Sequence, residues 1–265
     1  MTLSLAWVRS VGDTKELVMA TDSRLRGGCA WDAAPKILTL PRTDCAICFA
    51  GDTEDAYPLM LSMASAIGDY PKSRSRGMDI YDVKGHTLRV FNYLRKFISD
   101  LPHGQEAPDP PRVEFIFGGY SWRKKKFAIW LPHYDSHLKQ FTFRPASTWR
   151  GGTGNKQIMF AGDYIDEAKE RLVAILRSRG KLTTMGFDME PFEVLRDMIR
   201  DGKHPFIGGA PQVLKVYEFM NIQPYAVFWP NRASGAITLF GRPLLTYEVT
   251  SRLVLDPDTL EARRP

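Results

Sequence analysis

Along the chain, apolar and polar positions alternate in short runs, switch twice to a helical period, and return to alternation each time. The first runs, TLSLAWVR (2–9) and ELVMATD (16–22), read as strands, and SVGDTK between them supplies hairpin chemistry through Gly12-Asp13. KILTLP and DCAICFAG follow as further strands, separated by polar Arg42-Thr43. From Thr53 to Ile67 the apolar residues Ala56, Leu59, Met60, Met63, Ala64 and Ile67 recur at helical spacing. Pro58 falls near the first turn of that stretch, where a lost N–H costs little. A second helical stretch runs from Met78 to Leu101 through Leu88, Phe91, Leu94, Phe97 and Ile98.

The Pro-rich, polar segment 102–112 reads as a loop, and strand signals resume at VEFIFGGY, KFAIWLP and HLKQFTFR. Gly151, Gly152 and Gly154 punctuate the chain before the strand KQIMFAG. Two more helices are predicted, Asp163–Arg179 with Asp163 as its cap and Glu190–Arg200. QVLKVYEF, YAVFWP, AITLFG and TYEVTSRLVL read as closing strands, and about 255–265 as a loose tail. The order is strands, two helices, strands, two helices, strands. Pairing the strand runs into two sheets with helices on their outer faces predicts an α+β fold, a four-layer α-β-β-α sandwich. No composition shift or internal repeat divides the chain, so 1–265 is expected to be a single domain.

Composition removes several classes. With 44% hydrophobic residues, 18 prolines and 21 glycines among 265, the chain carries enough apolar surface for a core and too little Pro and Gly for low complexity. No apolar run reaches the ~18–20 residues of a membrane helix. MTLSLAWVRS lacks the basic, apolar and cleavage regions of a signal peptide, so a soluble, cytoplasmic protein is expected. The 3 cysteines imply no disulfide framework. Cys45 and Cys48 form a C-x-x-C within a strand, where residues three apart face opposite ways, so no shared metal or redox pair is expected.

Candidate chemistry begins at Thr2. Thr2 follows Met1, and a small second residue favours removal of the initiator, which would leave a threonine at the N-terminus. A terminal α-amine has an ordinary pKa of ~7.7–8.0, so it can act as the base for its own hydroxyl. A nearby lysine would lower both pKa values, and a carboxylate would hold that lysine in place.

Thr2 with Ser4-Leu5-Ala6-Trp7-Val8, then Ala20-Thr21-Asp22-Ser23-Arg24, Lys36-Ile37, Phe49-Ala50-Gly51 and Asp55-Ala56 form an ordered set. In this set the chain resembles the proteasome β-subunit/HslV family of N-terminal-nucleophile hydrolases, whose sandwich order also matches. The resemblance implies Thr2 as nucleophile, Lys36 tuning its protonation, Asp22 holding Lys36, and the Gly51 N–H donating to the oxyanion. Phe49 is a candidate for lining the substrate pocket, with ordinary core at a strand end as the other reading. Members of that family usually carry Gly-Ser-Gly before the third helix and Asp-x-x-Ser-Gly-Gly after the fourth. Here those stretches read Phe160-Ala161-Gly162 and His204-Pro205-Phe206-Ile207-Gly208-Gly209. Ala161, His204 and Ile207 replace a serine, an aspartate and a serine, and His204 is a candidate substitute proton carrier.

The resemblance further implies a peptide or unfolded polypeptide as substrate, a homo-oligomer, no cofactor or metal, and room for an ATP-driven unfolding partner. A non-catalytic scaffold subunit of the same fold is the principal alternative. The other is a nucleic-acid binder, suggested by the net charge of +6, by Lys72, Arg74 and Arg76, and by Arg123–Lys126 between Trp122 and Trp130. No nucleic-acid-binding motif accompanies those clusters.

Overall fold

In the computed structural model, which describes residues 2–149, 157–183 and 186–265, the first hairpin forms as its pattern predicts. Strand β1 (Leu3–Val11) pairs antiparallel with β2 (Thr14–Thr21), with Val11 opposite Thr14 across the Gly12-Asp13 turn. A small ribbon of β3 (Leu25–Gly27) and β4 (Cys29–Trp31) follows, then β5 (Ile37–Thr39) and β6 (Cys45–Gly51). The helical section holds α1 (Thr53–Asp69), a short α2 (Pro71–Arg74) and α3 (Ile80–Leu94). Next come β7 (Val113–Ser121), β8 (Lys126–Asp135), β9 (Gln140–Pro145), β10 (Ser147–Thr148) and β11 (Gln157–Gly162). Helices α4 (Ile165–Ser178) and α5 (Glu190–Asp201) lead to β12 (Gln212–Tyr217) and β13 (Ile222–Phe228). The chain closes with β14 (Ile237–Leu239), β15 (Arg242–Pro243), β16 (Val254–Leu255) and β17 (Ala262–Arg263). The architecture is mixed α+β. No helix among the described residues is long and apolar enough to cross a membrane.

Two sheets carry most of the strands. The larger runs β10-β11-β1-β2-β12-β13-β14-β15, with β16 and β17 joined beside β13, and the other runs β5-β6-β7-β8-β9. The two-residue side-chain period divides each central strand between two cores. Leu3, Leu5 and Trp7 of β1 join Val18, Ala20, Ile158 and Phe160 in a cluster with Ala168, Leu172, Leu176, Phe192 and Leu195 from α4 and α5. Cys45, Ile47 and Phe49 of β6 join Phe115, Phe117 and Trp130 in a second cluster with Ala56, Met60, Met63, Val83 and Phe91 from α1 and α3. The alternate residues of both sheets, among them Ala6, Val8, Leu17, Met19, Ala46, Cys48, Ala50, Ile116, Ile129 and Ala161, form a third. Strands buried on both faces read as nearly continuous apolar runs, which is how β1 and β6 appear in the sequence.

Several expectations are corrected. The second helix is shorter than 78–101. Asp79 caps it by accepting from the Tyr81 amide at 3.1 Å while Asp82 reaches back to the Asp79 N–H, a reciprocal capping box. The helix ends at Leu94, and Phe97 and Ile98, which extended the periodic reading, are exposed. Pro58 lies inside α1 rather than at its opening. The terminal segment is tied down: Val254 and Leu255 pair with Arg263 and Ala262, and Leu260 and Ala262 pack on the first core cluster. Of the strand expected over 246–255, only Val254–Leu255 forms. Gly151, Gly152 and Gly154, and Met1, lie outside the described residues.

Cys45 and Cys48 face different cores, as the strand period requires, and burial pushes the Cys48 thiol up to about 12. No group of metal-ligating side chains occurs among the described residues. Trp130 is buried against Phe117 and Tyr81, so it forms no exposed stacking platform with Trp122 beside the Arg123–Lys126 turn.

Candidate functional site

Three chain segments converge at one end of the sheets. Thr2 immediately precedes β1, Asp22 immediately follows β2, and Lys36 immediately precedes β5; all three side chains are fully buried. The Lys36 ammonium donates to Thr2 Oγ1 at 2.5 Å and to Asp22 Oδ1 at 2.9 Å. A hydroxyl, a cation and a carboxylate thus form one continuous chain. The resemblance implies that these three residues meet, and the structure places them in direct contact.

Asp22 is held from several sides. Its Oδ1 also takes the Leu3 N–H at 3.2 Å, and its Oδ2 takes the N–H groups of Arg24 at 3.0 Å and Gly208 at 3.1 Å. With the Lys36 ammonium, these three amides satisfy both oxygens of the buried carboxylate. Burial pushes the Lys36 ammonium below its ordinary 10.5, against the opposing pull of Asp22 beside it. A desolvated cation at hydrogen-bond distance from Oγ1 stabilises negative charge there more strongly than a solvated one would.

The site contains two residues whose roles the sequence reading missed. Gln212, at the start of β12, is buried and uses both ends of its amide. Its Oε1 accepts from the backbone N–H of Lys36 at 3.0 Å and of Ile37 at 3.3 Å. Its Nε2 donates to the carbonyls of Ala34 at 2.8 Å and Asp22 at 3.3 Å and to Ser23 Oγ at 3.1 Å. Gln212 therefore fastens the Lys36 segment to the Asp22 segment. In the sequence it is one polar residue opening a strand, with nothing to mark it. Gln212→Leu should leave several buried backbone groups unpaired and lower the unfolding free energy by roughly 3 kcal/mol, at ~1–3 kcal/mol per unsatisfied group. Urea denaturation of the variant measures that loss.

Asp163 is the second. The sequence pattern predicts it as the cap of α4, but the N-cap position is Tyr164, with φ +55° and no side-chain cap bond. Asp163 turns the other way. Its Oδ2 accepts from the Thr2 N–H at 3.0 Å, and its own N–H donates to the Thr2 carbonyl at 2.7 Å. Gly162, at φ +102°, makes that turn possible. A Cβ there would overlap the Thr2 carbonyl oxygen and come within 2.9 Å of Ala50 Cβ.

The remaining expected residues divide. Gly51 ends β6 at φ +117°, where a Cβ would overlap the Arg112 carbonyl oxygen and approach Val113 Cα at 2.8 Å. Its neighbour Ala50 lies against Gly162, and the Ser4 hydroxyl donates to the Phe49 carbonyl at 2.9 Å, so the end of β6 meets the start of β1. The Phe49 side chain is core: it is fully buried and edge-on to Tyr57, with ring centroids 5.3 Å apart, so it lines no open pocket. His204 is buried against the Tyr164 ring at 4.4 Å between centroids, with Nε2 3.3 Å from Glu167 Oε1. It therefore neighbours the Asp163 turn through Tyr164. Ala161 and Ile207 are buried members of apolar clusters. Compared with known proteins, no protein-family model matches this chain, and no curated protein matches it.

Proposed function

We propose that the chain is an N-terminal-nucleophile amide hydrolase of the proteasome β-subunit/HslV type, folded as a four-layer α-β-β-α sandwich. The sandwich reading is supported by the three core clusters, one shared by the two sheets and one beneath each helix pair. The functional reading is carried by one observation, the fully buried contact chain from Thr2 Oγ1 through Lys36 Nζ to Asp22. Burying a lysine and an aspartate costs several kcal/mol per ion, so a hydrophobic packing would serve stability as well or better. Their placement on a threonine hydroxyl next to the chain start fits catalysis.

In this reading Met1 is removed and Thr2 presents both nucleophile and base. Oγ1 bonds to the carbonyl carbon of an amide, and its proton passes to the Thr2 α-amine. Lys36 stabilises the developing negative charge on Oγ1, and the Gly51 N–H is assigned to the oxyanion of the tetrahedral intermediate, a donor typically worth ~2.7–4 kcal/mol. The C–N bond then breaks as the ammonium returns its proton to the leaving nitrogen, and water resolves the acyl-enzyme by the same route reversed. The reading takes a peptide or unfolded polypeptide as substrate, a cytoplasmic homo-oligomer as the working form, and needs no cofactor.

A second reading, a non-catalytic scaffold subunit of the same fold, is favoured by Ala161 and Ile207, which put methyl groups into the core where relatives carry serines. The intact mass of the purified protein separates the two. Loss of Met1, together with a covalent adduct from a β-lactone or epoxyketone probe that Thr2→Ala abolishes, is the expected result. Retained Met1 would sink the hydrolase reading.

A further inference from the structure

We propose that Asp163 is the carboxylate partner of the Thr2 α-amino group, positioning that amine and stabilising its protonated form during turnover. The inference rests on the reading of Thr2 as nucleophile and adds to it a residue that neither the family pattern nor the helix-cap reading assigns. Two bonds in opposite directions join the residues: Thr2 N–H to Asp163 Oδ2 at 3.0 Å, and Asp163 N–H to the Thr2 carbonyl at 2.7 Å. Together they fix both the position and the rotation of the Thr2 backbone about its nitrogen. The segment that does this is unusual on both sides of Asp163: Gly162 at φ +102° takes a conformation open to glycine, and Tyr164 at φ +55° takes one that costs a non-glycine residue. Strained backbone concentrates at working sites because the surrounding structure must hold it there. An ordinary helix start with Asp163 as N-cap would need neither value.

The electrostatic surroundings give Asp163 a definite task. Lys36 and Asp22 face it from the Thr2 side. On β7, Glu114 holds the Gly162 N–H at 3.4 Å through Oε2 and Arg144 at 3.2 Å through Oε1. On the far side of Tyr164 stand His204 and Glu167. With Lys36 on its hydroxyl, the Thr2 amine has a cation nearby that disfavours its protonation, so accepting the Oγ1 proton is uphill without a compensating anion. Asp163 Oδ2 supplies that anion at hydrogen-bond distance. The proton leaves Oγ1 as the bond to carbon forms, rests on the amine as ammonium beside Asp163, and leaves with the departing nitrogen; Asp163 remains ionised throughout.

Burial raises the Asp163 carboxyl above its ordinary 3.8, the Thr2 N–H pulling the other way. A raised carboxyl contributes stability that is complete below the unfolded value of 3.8 and lost as pH rises through the folded value. At neutral pH its ionisation therefore opposes folding, and a neutral replacement is expected to fold.

The test follows the amine directly. In Met1-free protein with isotopically labelled threonine, the titration midpoint of the Thr2 amine is read by NMR, beside the pH profile of β-lactone labelling. Asp163→Asn and Asp163→Ser should each lower the midpoint by about one pH unit or more, as expected for loss of an opposite charge within a few Å. The acid limb of labelling should move down with it, and the plateau rate should fall about tenfold or more. Asp163→Glu, which keeps the charge, should restore the midpoint. A purely structural Asp163 would lower stability and rate while leaving the midpoint in place, and that outcome overturns the proposal. Retained Met1 or an unreactive Thr2 in the unaltered protein overturns the hydrolase reading itself, whereas a reactive Thr2 with an unmoved midpoint overturns Asp163 alone.

Discussion

Lys36→Met is expected to slow covalent labelling at Thr2 by roughly a thousandfold or more, the scale on which members of a catalytic unit fail. The same change should lower the unfolding free energy by about 3–5 kcal/mol, because it leaves the buried Asp22 without its cation. Asp22 keeps the three amide donors from Leu3, Arg24 and Gly208, which places the expected loss at the lower end of that range. Asp22→Asn strands the lysine instead, leaving the buried ammonium without its hydrogen-bonded counter-charge and with only the field of Asp163 to offset its burial. The double variant separates stability from chemistry. Burial depresses the Lys36 ammonium below 10.5, so its stabilising contribution is present only above that value and is lost as pH falls through the folded value. At neutral pH the charged pair is therefore not a source of net stability, and Asp22→Asn with Lys36→Met should recover most of the lost free energy. Labelling at Thr2 should stay lost. Urea denaturation and probe kinetics on the three variants check the scheme; a double variant that regained labelling would remove Lys36 from the mechanism.

How much of this was legible in the sequence depended on whether a residue's role left a local mark. The β1–β2 hairpin did, because Gly12-Asp13 and two alternating runs dictate both turn and register. The opposed faces of Cys45 and Cys48 followed from strand period alone. The set of Thr2, Asp22 and Lys36 was readable only through the resemblance to N-terminal-nucleophile hydrolases, because a place at a strand edge does not by itself join three residues so far apart in sequence. Asp163 was misassigned for a physical reason: an aspartate ahead of a helical run is the signal for a cap, and only the tertiary approach of Thr2 diverts it. Gln212 was invisible because a polar residue opening a strand has no periodic signature, and its partners lie far away in sequence at Ala34, Lys36 and Ile37. Phe49 shows the converse. Its place two residues before Gly51 suggested a pocket, yet alternation puts its side chain on the same face of β6 as Cys45 and Ile47, toward α1 and α3. The helix over 78–101 was overextended because Phe97 and Ile98 kept the apolar period after the chain had left the core.

Gly162→Ala should damage both fold and site, and Gly180→Ala provides its control. Both glycines have positive φ, +102° at Gly162 and +65° at Gly180. At Gly180 nothing lies within 4 Å of an added Cβ, so only the backbone preference is felt, at about 1–2 kcal/mol. At Gly162 the Cβ would overlap the Thr2 carbonyl oxygen and meet the Thr2 carbonyl carbon and Ala50 Cβ, each at 2.9 Å. The first two are backbone atoms of the proposed nucleophile and cannot swing aside as a side-chain tip would. Backbone strain of ~1–3 kcal/mol and overpacking of a similar ~1–3 kcal/mol would then act together. Relief requires Thr2 to move away from β11, which breaks its paired hydrogen bonds with Asp163 and draws Oγ1 off Lys36. A displacement of about 1 Å at a reacting group can cost on the order of a hundredfold in rate. The expected result is therefore a larger fall in urea midpoint for Gly162→Ala than for Gly180→Ala, with Thr2 labelling lost in the first and kept in the second. Equal behaviour of the two variants would show that Gly162 does not hold Thr2 in place.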